Sequence, residues 1–199
     1  MTSRSHETLD QRIARVVREE IVVVPYDPAW PSRFEEEKAR LLADLPAGLV
    51  RRIEHFGSTA VPGLAAKTVV DLLLEVASLD EVKRRVVPLL EAQGCDYFWR
   101  PTWSDEEPFY AWFIRRDAQG RRTHHLHFVE AGFPQWDALR FRDLLRARTD
   151  LATEYQALKL RLAIEHPRNR ETYTRGKADF IHRVAVQARP STTRPNEPP

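Results

Sequence analysis

A Gly-Ser turn followed by an acid on a strand is the part of the chain with the clearest chemical meaning. Phe56 leads into Gly57-Ser58, and Asp71 opens the apolar run Leu72–Leu74. Glycine lets a backbone approach a ligand closely, and the exposed N–H groups of such a turn can hold phosphate oxygens. A carboxylate at a strand end can bind Mg²⁺, which favours oxygen ligands. The pattern is compatible with a site for a nucleotide and a divalent metal ion, in which Asp71 would be the metal-binding, catalytic acid. The alternative is that Asp71 only caps a neighbouring backbone amide.

A second group of chemically competent residues is the histidine pair of Thr123–Glu130, THHLHFVE. In a strand, residues i and i+2 point to the same face, so we expect His125 and His127 together and His124 on the opposite face. With Asp71 they form a plausible ligand set for manganese or zinc and a poor one for magnesium. Two other roles stay open, as hydrogen-bonding buried histidines or as phosphate donors when protonated.

Polar side chains near the Gly-Ser turn are candidates for phosphate contacts. Ser58 can donate its hydroxyl and its N–H to a phosphate, or it can cap the turn that follows. Thr59 lies beside it, and Lys67, one of few lysines, precedes Asp71 by four residues. Lys67 could neutralise phosphate charge or pair with Asp71. For His55, which precedes the turn, we expect a hydrogen bond that is either structural or made to the substrate.

Periodicity and turn signals place these residues on a central sheet. The predicted strands are Val50–Phe56, Val69–Val76, Tyr110–Arg115 and Arg122–Glu130. We expect the first, second and fourth of them to share one sheet, and the third and fourth to form a hairpin. Ser32 and Glu35 predict a capping box at the start of a helix. The predicted helices are Ser32–Leu45, Leu79–Glu91, 134–147, 150–165 and 169–187, with a short amphipathic helix inside residues 1–20.

Aromatic residues crowd a proline-broken segment that leads into the third predicted strand. They could form the apolar wall of a ligand cleft, although core packing explains most of them. These residues are Phe98, Trp99, Trp103, Phe109, Tyr110 and Trp112.

Composition limits the class of protein. A chain of 199 residues with 42% hydrophobic residues can bury one substantial core, so one domain is expected. The formal charge of +2 argues against a nucleic-acid partner, and one cysteine excludes an internal disulfide. No apolar run is long enough for a membrane helix, and the N-terminus is too charged for a signal peptide. We therefore expect a cytoplasmic protein without a membrane partner.

Several longer sequence segments resemble those of a known family. The segment HFGSTAVPGLAAK is similar to the signature of the GrpB family, usually interpreted as nucleotidyltransferase-like. Agreement extends to VPYDPAWPSRFEEE, THHLHFVE, WDALRFRDLLR, YQALKLRLA and RETYTRGKADFI. The resemblance implies an α/β (α+β) fold, a mixed sheet flanked by helices with a helical C-terminal layer. It implies a single domain over residues 21–188. Residues 1–20, which the resemblance does not reach, are expected to be a helical extension from their apolar spacing, and the proline-rich residues 189–199 are expected to be disordered.

The same resemblance adds site residues. The family-like segment RETYTRGKADFI contains Arg170, Tyr173 and Lys177, which fall on one face of the predicted helix. Arg170 and Lys177 are therefore candidates to reach a bound anion, although a solvated helix face explains them equally well. The implied cofactor is a divalent metal ion, magnesium or manganese. The candidate nucleotide contacts are Gly57, Ser58, Thr59, Lys67, Arg170 and Lys177, and the candidate metal ligands are Asp71, His125 and His127.

The chain departs from an active nucleotidyltransferase at one position. Such enzymes typically use two acids separated by one residue, about 6.6 Å apart along one strand face. Leu73 stands where the second acid would be, and Glu75 lies on that face about 13 Å from Asp71 along the strand. Without the pair, a two-metal mechanism lacks a principal ligand.

Three functions remain open on the sequence. The first is a protein that binds a nucleotide or phosphorylated small molecule with a divalent metal and transfers a nucleotidyl group. The second is a catalytically degenerate ligand-binding or protein-interaction module, with a helper role suggested by the resemblance of some relatives to a domain fused to dephospho-coenzyme A kinase. The third is a metal-dependent hydrolase that uses Asp71, His125 and His127.

Overall fold

The computed structural model describes residues 7–101 and 108–187. The predicted tail at 189–199 and Trp103, one of the aromatic residues considered for a ligand cleft, lie outside the described residues. In the described part, the helices are α1 (Leu9–Arg18), α2 (Trp30–Asp44), α3 (Leu79–Glu81), α4 (Val87–Ala92), α5 (Asp137–Ala147), α6 (Thr149–Glu165), α7 (Arg170–Arg175) and α8 (Ala178–Gln187). The strands are β1 (Val23–Val24), β2 (Val50–Phe56), β3 (Ala66–Lys67), β4 (Val70–Val76), β5 (Asp96–Pro101), β6 (Phe109–Arg116) and β7 (Arg122–Val129).

A mixed sheet forms the centre of the molecule, with strand order β2-β4-β7-β6-β5. The neighbours β4 and β7 run parallel, and the other neighbouring strands run antiparallel. The expectation that β2, β4 and β7 share one sheet is confirmed, as is the hairpin between β6 and β7. The short strands β1 and β3 pair separately. The predicted fold class, a mixed sheet with flanking helices and a helical C-terminal part, is confirmed.

The two faces of the sheet pack against different helices. On one face, Leu72 and Leu74 of β4 and Phe128 of β7 are fully buried in a cluster with Trp30 and Leu41 of α2. His124 is on this face and points away from the other two histidines of β7, as the alternation of strand side chains predicts. The opposite face carries Asp71 and is covered by α1, α5 and the C-terminal helices.

The start of α2 differs from the predicted capping box. The helix begins two residues earlier than expected, at Trp30, and its N-cap residue is Ala29, which makes no side-chain cap bond. Asp27 supplies the local order instead, because its carboxylate accepts the N–H of Ala29 at 2.9 Å. Pro31 fits here because the first turn of a helix needs no N–H from it. The Ser32–Glu35 capping box was therefore wrong.

The predicted helix 169–187 is two helices, α7 and α8. Gly176 separates them at a tight contact, since a Cβ on this residue would lie 2.6 Å from Leu162 of α6. Asn169 caps α7 by accepting the N–H of Thr172 at 3.0 Å. Lys177 lies at the junction between the two helices. Its ammonium group is 4.7 Å from the centre of the Tyr173 ring, which belongs to α7.

The predicted N-terminal helix is present as α1 and packs on the sheet. Val16 is buried against Phe98 and Ile114, two residues on the same sheet face as Asp71. Arg15 forms an ion pair with Asp96 at 2.8 Å. Helix α1 therefore covers the β5–β6–β7 part of that face.

Candidate metal and anion site

Asp71, His125 and His127 meet at the boundary between β4 and β7. The parallel register places Asp71 opposite His125 and Leu73 opposite His127. One ligand atom from each of the three side chains lies within 4.8 Å of the others. Asp71 Oδ1 is 2.9 Å from His125 Nδ1 and 3.9 Å from His127 Nε2. The three predicted metal ligands thus lie at one point of the sheet, in a two-histidine, one-carboxylate set typical of transition-metal sites.

Aromatic rings surround the two histidines. Phe56 and Tyr110 contact the His127 ring with centroid distances of 5.0 and 5.6 Å. Trp112 meets His125 edge-on at 5.1 Å. Two of the aromatic residues that the sequence placed near a ligand cleft, Tyr110 and Trp112, therefore form the apolar wall around the histidines.

The protonation states suit metal binding. Burial lowers the pKa of His125 to about 3 and that of His127 below its ordinary value, so both rings are neutral near pH 7. Burial alone would raise the pKa of Asp71, but the two histidines hold it below the ordinary range. The Nε2 atom of His127 is buried without a hydrogen-bond partner. Neutral imidazoles, an ionised carboxylate and a partnerless ring nitrogen fit a bound divalent transition metal.

Gly57 has no side chain that would clash with the carboxylate of Asp71. Its backbone angles, φ 73° and ψ −171°, belong to a region almost restricted to glycine. A Cβ on Gly57 would lie 2.6 Å from Asp71 Oδ2, closer than real contacts allow. The Gly-Ser turn therefore packs directly against the metal-binding acid, which joins the two halves of the predicted motif.

We expect Gly57→Ala to destabilise the protein by about 2–4 kcal/mol and to displace the Asp71 carboxylate, since strain and a steric clash add. Gly63→Ala is the matched control, because Gly63 has a φ of +78° but nothing within 4 Å of an added Cβ. Urea unfolding of both variants measures the difference. Equal losses of stability would show that backbone strain alone, without the Asp71 contact, accounts for the glycine.

A cluster of cations lies beside the metal ligands. Lys67, Lys177 and Arg170 are half-buried and Lys159 is only 2% exposed. Within residues 7–101 and 108–187, no ion pair includes any of these four cations. The ammonium groups of Lys67 and Lys177 lie 5.5 and 4.7 Å from the centre of the Tyr173 ring. We call Lys67, Lys159, Lys177 and Arg170 the cation cluster.

Burial and mutual repulsion act on the whole cation cluster. Burial, followed by repulsion from Lys177, lowers the pKa of Lys159 to about 7 and that of Lys67 well below its ordinary value. Burial likewise lowers the pKa of Lys177 to about 8 and that of Arg170 to about 10. Attraction to Asp71 opposes the lowering of the pKa of Lys67 and of Lys177 but does not cancel it. Such a group of cations is stabilised by an anion that enters between them.

Lys159 is the functional candidate that the sequence reasoning missed. Its ammonium group donates to the carbonyl of Ala65 and lies 4.9 Å from the centre of the Tyr155 ring. The signal was present, because Tyr155, Lys159 and Leu162 fall at helical spacing on the face of α6 that packs inward. A lysine on the apolar stripe of a helix is the pattern that could have indicated it.

The other predicted phosphate contacts are placed as follows. Ser58 hydrogen-bonds the hydroxyl group of Tyr155, whose ring centre lies 4.9 Å from the ammonium group of Lys159. The Thr59 hydroxyl is buried and bonds His55 Nε2 at 3.0 Å, so only its backbone remains free to meet a ligand. His55 stacks on Phe34 at 4.8 Å, which favours the structural one of the two roles expected for it.

No second acid replaces the missing one beside Asp71 in the described part of the chain. Leu73 is fully buried in an apolar cluster with Tyr110 and Val129. Glu54 lies opposite Leu73 on β2, but its carboxylate bonds Arg52 at 2.9 Å and Arg142 at 3.1 Å. Both of its oxygens are thus engaged by arginines rather than free for a metal.

Comparisons with known proteins agree with the fold. Residues 20–187 match the family model described as GrpB protein. A UPF0157 protein of Pseudomonas aeruginosa is 40% identical over 189 residues, which is 93% of this chain and 74% of that protein. The crystal structure of conserved protein GrpB from Enterococcus faecalis superposes with a TM-score of 0.68 at 32% identity, covering 84% of this chain and 96% of that one.

The fold and site define an α+β protein with a candidate metal and anion site at the sheet. The matches place it further: the chain belongs to the GrpB family. A Mycolicibacterium paratuberculosis protein named dephospho-CoA kinase is also similar, at 29% identity over 73% of this chain and 40% of that protein. Helix α1 lies outside the family match, which begins at residue 20. Among the described residues, none of the helices has the length and apolar character to cross a membrane.

Proposed function

We propose that the protein binds a nucleotide or a phosphorylated small molecule together with one divalent metal ion. The observation that carries this proposal is the cation cluster, whose members have no carboxylate partner in the described part of the chain. Repulsion among unpaired, desolvated cations is relieved by a ligand with concentrated negative charge, and phosphate is such a ligand.

The site residues divide into two groups in this proposal. Asp71, His125 and His127 hold the metal, and their nitrogen-rich set suits manganese or zinc better than magnesium. A bound metal would neutralise phosphate charge at the sheet. The side chains of Lys67, Lys159, Lys177 and Ser58 contact the phosphate, with Arg170 adding charge, and the backbone of Gly57 and Thr59 borders it.

Binding is favoured over nucleotidyl transfer. A two-metal mechanism needs more than one carboxylate, and Leu73 is buried at the second position while Glu54 is bound by two arginines. The match to a protein named dephospho-CoA kinase supports a helper role next to an enzyme that handles a phosphorylated small molecule. A cytoplasmic location would supply such ligands.

The proposal predicts that ATP with manganese raises the melting temperature of the protein, because a ligand that binds only the folded state stabilises it by mass action. Ser58→Ala combined with Lys67→Ala should remove this rise and leave the free protein folded. The loss follows from the removal of one hydroxyl and one charge that face the phosphate. Thermal unfolding with and without manganese-ATP is the measurement.

The matched control for this experiment is Ser32→Ala combined with Lys38→Ala. These two residues lie on α2, which covers the opposite face of the sheet. The control variant should retain the full stabilisation by manganese-ATP. Equal stabilisation of the wild type and the Ser58–Lys67 double variant would rule out the phosphate contacts proposed here.

A further inference from the structure

A chain of polar contacts runs from the end of α1 to the metal ligands. The carboxylate of Glu19 bonds both Arg116 and Arg122. The Arg122 guanidinium also donates to the carbonyl of Val16, and its Nη1 lies 3.4 Å from His125 Nε2. Nδ1 of the same ring lies 2.9 Å from Asp71. Both nitrogens of His125 therefore face a charged group.

These neighbours select one tautomer of His125. A guanidinium has only donors, so the nitrogen that faces Arg122 must be the acceptor. An ionised carboxylate has only acceptors, so the nitrogen that faces Asp71 must carry the hydrogen. Both constraints give the same neutral ring, protonated at Nδ1 and bare at Nε2.

A metal held by His125 through Nδ1 would require the opposite tautomer. A metal-binding ring nitrogen carries no hydrogen, so the neutral ring would carry its hydrogen on Nε2. That N–H would point at the N–H groups of Arg122, so the guanidinium must move away. Its other contacts, to Glu19 and to the Val16 carbonyl, resist the movement because they fix it at the end of α1.

We infer that Glu19 and Arg122 are positioning residues that hold His125 in its Nδ1–H tautomer and thereby couple the docking of α1 to metal binding. The metal part of this inference rests on the proposed function. Arg170 strengthens the link, because it donates to the carbonyls of Glu19 and Glu20 while it belongs to the cation cluster. The segment after α1 thus touches both halves of the site, although α1 itself lies outside the family match.

The first test needs no metal. Nitrogen-15 NMR of the histidine side chains, assigned with His125→Gln, reports which ring nitrogen carries the hydrogen. We expect His125 of the metal-free wild-type protein to be the Nδ1–H tautomer. A dominant Nε2–H tautomer would overturn the inference whether or not the protein binds metal.

The second test is calorimetric titration with zinc or manganese alone. Arg122→Leu removes the opposing donor, and we expect affinity for the metal to rise on the order of tenfold. Arg116→Leu is the matched control, because Arg116 pairs with Arg122 across the β6–β7 hairpin and shares Glu19 but does not contact His125. Arg116→Leu removes the same charge but no donor to His125, so the metal affinity of this variant should rise clearly less than that of Arg122→Leu.

Glu19→Gln is the second variant in case Arg122→Leu fails to fold, and it should give a smaller gain by loosening Arg122. Equal affinities for the wild type, Arg122→Leu and Glu19→Gln would overturn the coupling and leave the proposed metal site intact. An equal gain in Arg116→Leu would also overturn it, since charge alone would then be the cause. The absence of metal binding in every variant would remove the metal site and the coupling together.

Discussion

Asp71→Asn is expected to lower the affinity for zinc or manganese at least about 100-fold and to abolish metal-dependent binding of ATP. Asp71 is the one carboxylate of the three-residue ligand set, and an amide is a much weaker ligand for a divalent ion. The amide oxygen can still accept the N–H of His125, so the variant should stay folded. Calorimetric titration with the metal, followed by ATP, measures both losses.

Glu75→Gln is the control for this prediction. Glu75 lies on the same face of β4 as Asp71, and in the register it faces Val129 rather than a histidine. Loss of this charge should change metal affinity by less than about twofold, because it lies about 13 Å along the strand from Asp71. If Asp71→Asn and Glu75→Gln behave alike, the metal does not bind at the Asp71–His125–His127 set.

Lys159→Met is expected to stabilise the free protein near pH 7, on the order of 3 kcal/mol. The lysine is almost fully buried without a carboxylate partner in the described part of the chain, and methionine fills a similar volume. Burial lowers the pKa of Lys159 to about 7 from an ordinary value of 10.5. The folded state therefore favours the neutral amine, and charging it below this pKa is destabilising.

The sign of the pH dependence follows from proton binding. Between about pH 7 and pH 10 the unfolded chain holds a proton on Lys159 that the folded protein has lost, so the free energy of unfolding of the wild type rises with pH. In Lys159→Met this rise should be smaller but not absent, because Lys177 and Lys67 are shifted in the same direction. Urea unfolding at several pH values gives both slopes.

An exposed lysine supplies the comparison. Lys83→Met removes a lysine at the surface and should leave the pH slope of the wild type unchanged. Identical slopes for the wild type and Lys159→Met would mean that the buried amine is compensated in solution. The cation cluster would then no longer support the proposal of an anion site.

Much of the site could be predicted because strand periodicity is local. The alternation in β7 put His125 and His127 on one face and His124 on the other, and the structure agrees. The resemblance to the family sequence indicated Arg170 and Lys177 as candidate anion contacts. These inferences need only the side-chain period of a strand and short stretches of sequence.

The rest depended on contacts between distant segments. The helical pattern of α6 puts Lys159 on the inward face, but its partner, the Ala65 carbonyl, is 94 residues away in sequence and cannot be predicted from that pattern. The break between α7 and α8 falls at Gly176, a position packed so closely on Leu162 of α6 that an added Cβ would clash. The edge strand β5 was missed because its aromatic residues were interpreted as a cleft wall rather than as one strand of a hairpin with β6.

The parallel pairing of β4 with β7 has a consequence for the order of folding. Parallel strands cannot be joined by a tight turn, and here α3, α4, β5 and β6 all lie between them in the chain. Because closing so long a loop is entropically costly, we expect the contact between Asp71 and the histidines to form after the hairpins of the sheet. A metal held between these strands would then act mainly on the unfolding rate, so its removal should shorten the lifetime of the native state more than it slows refolding.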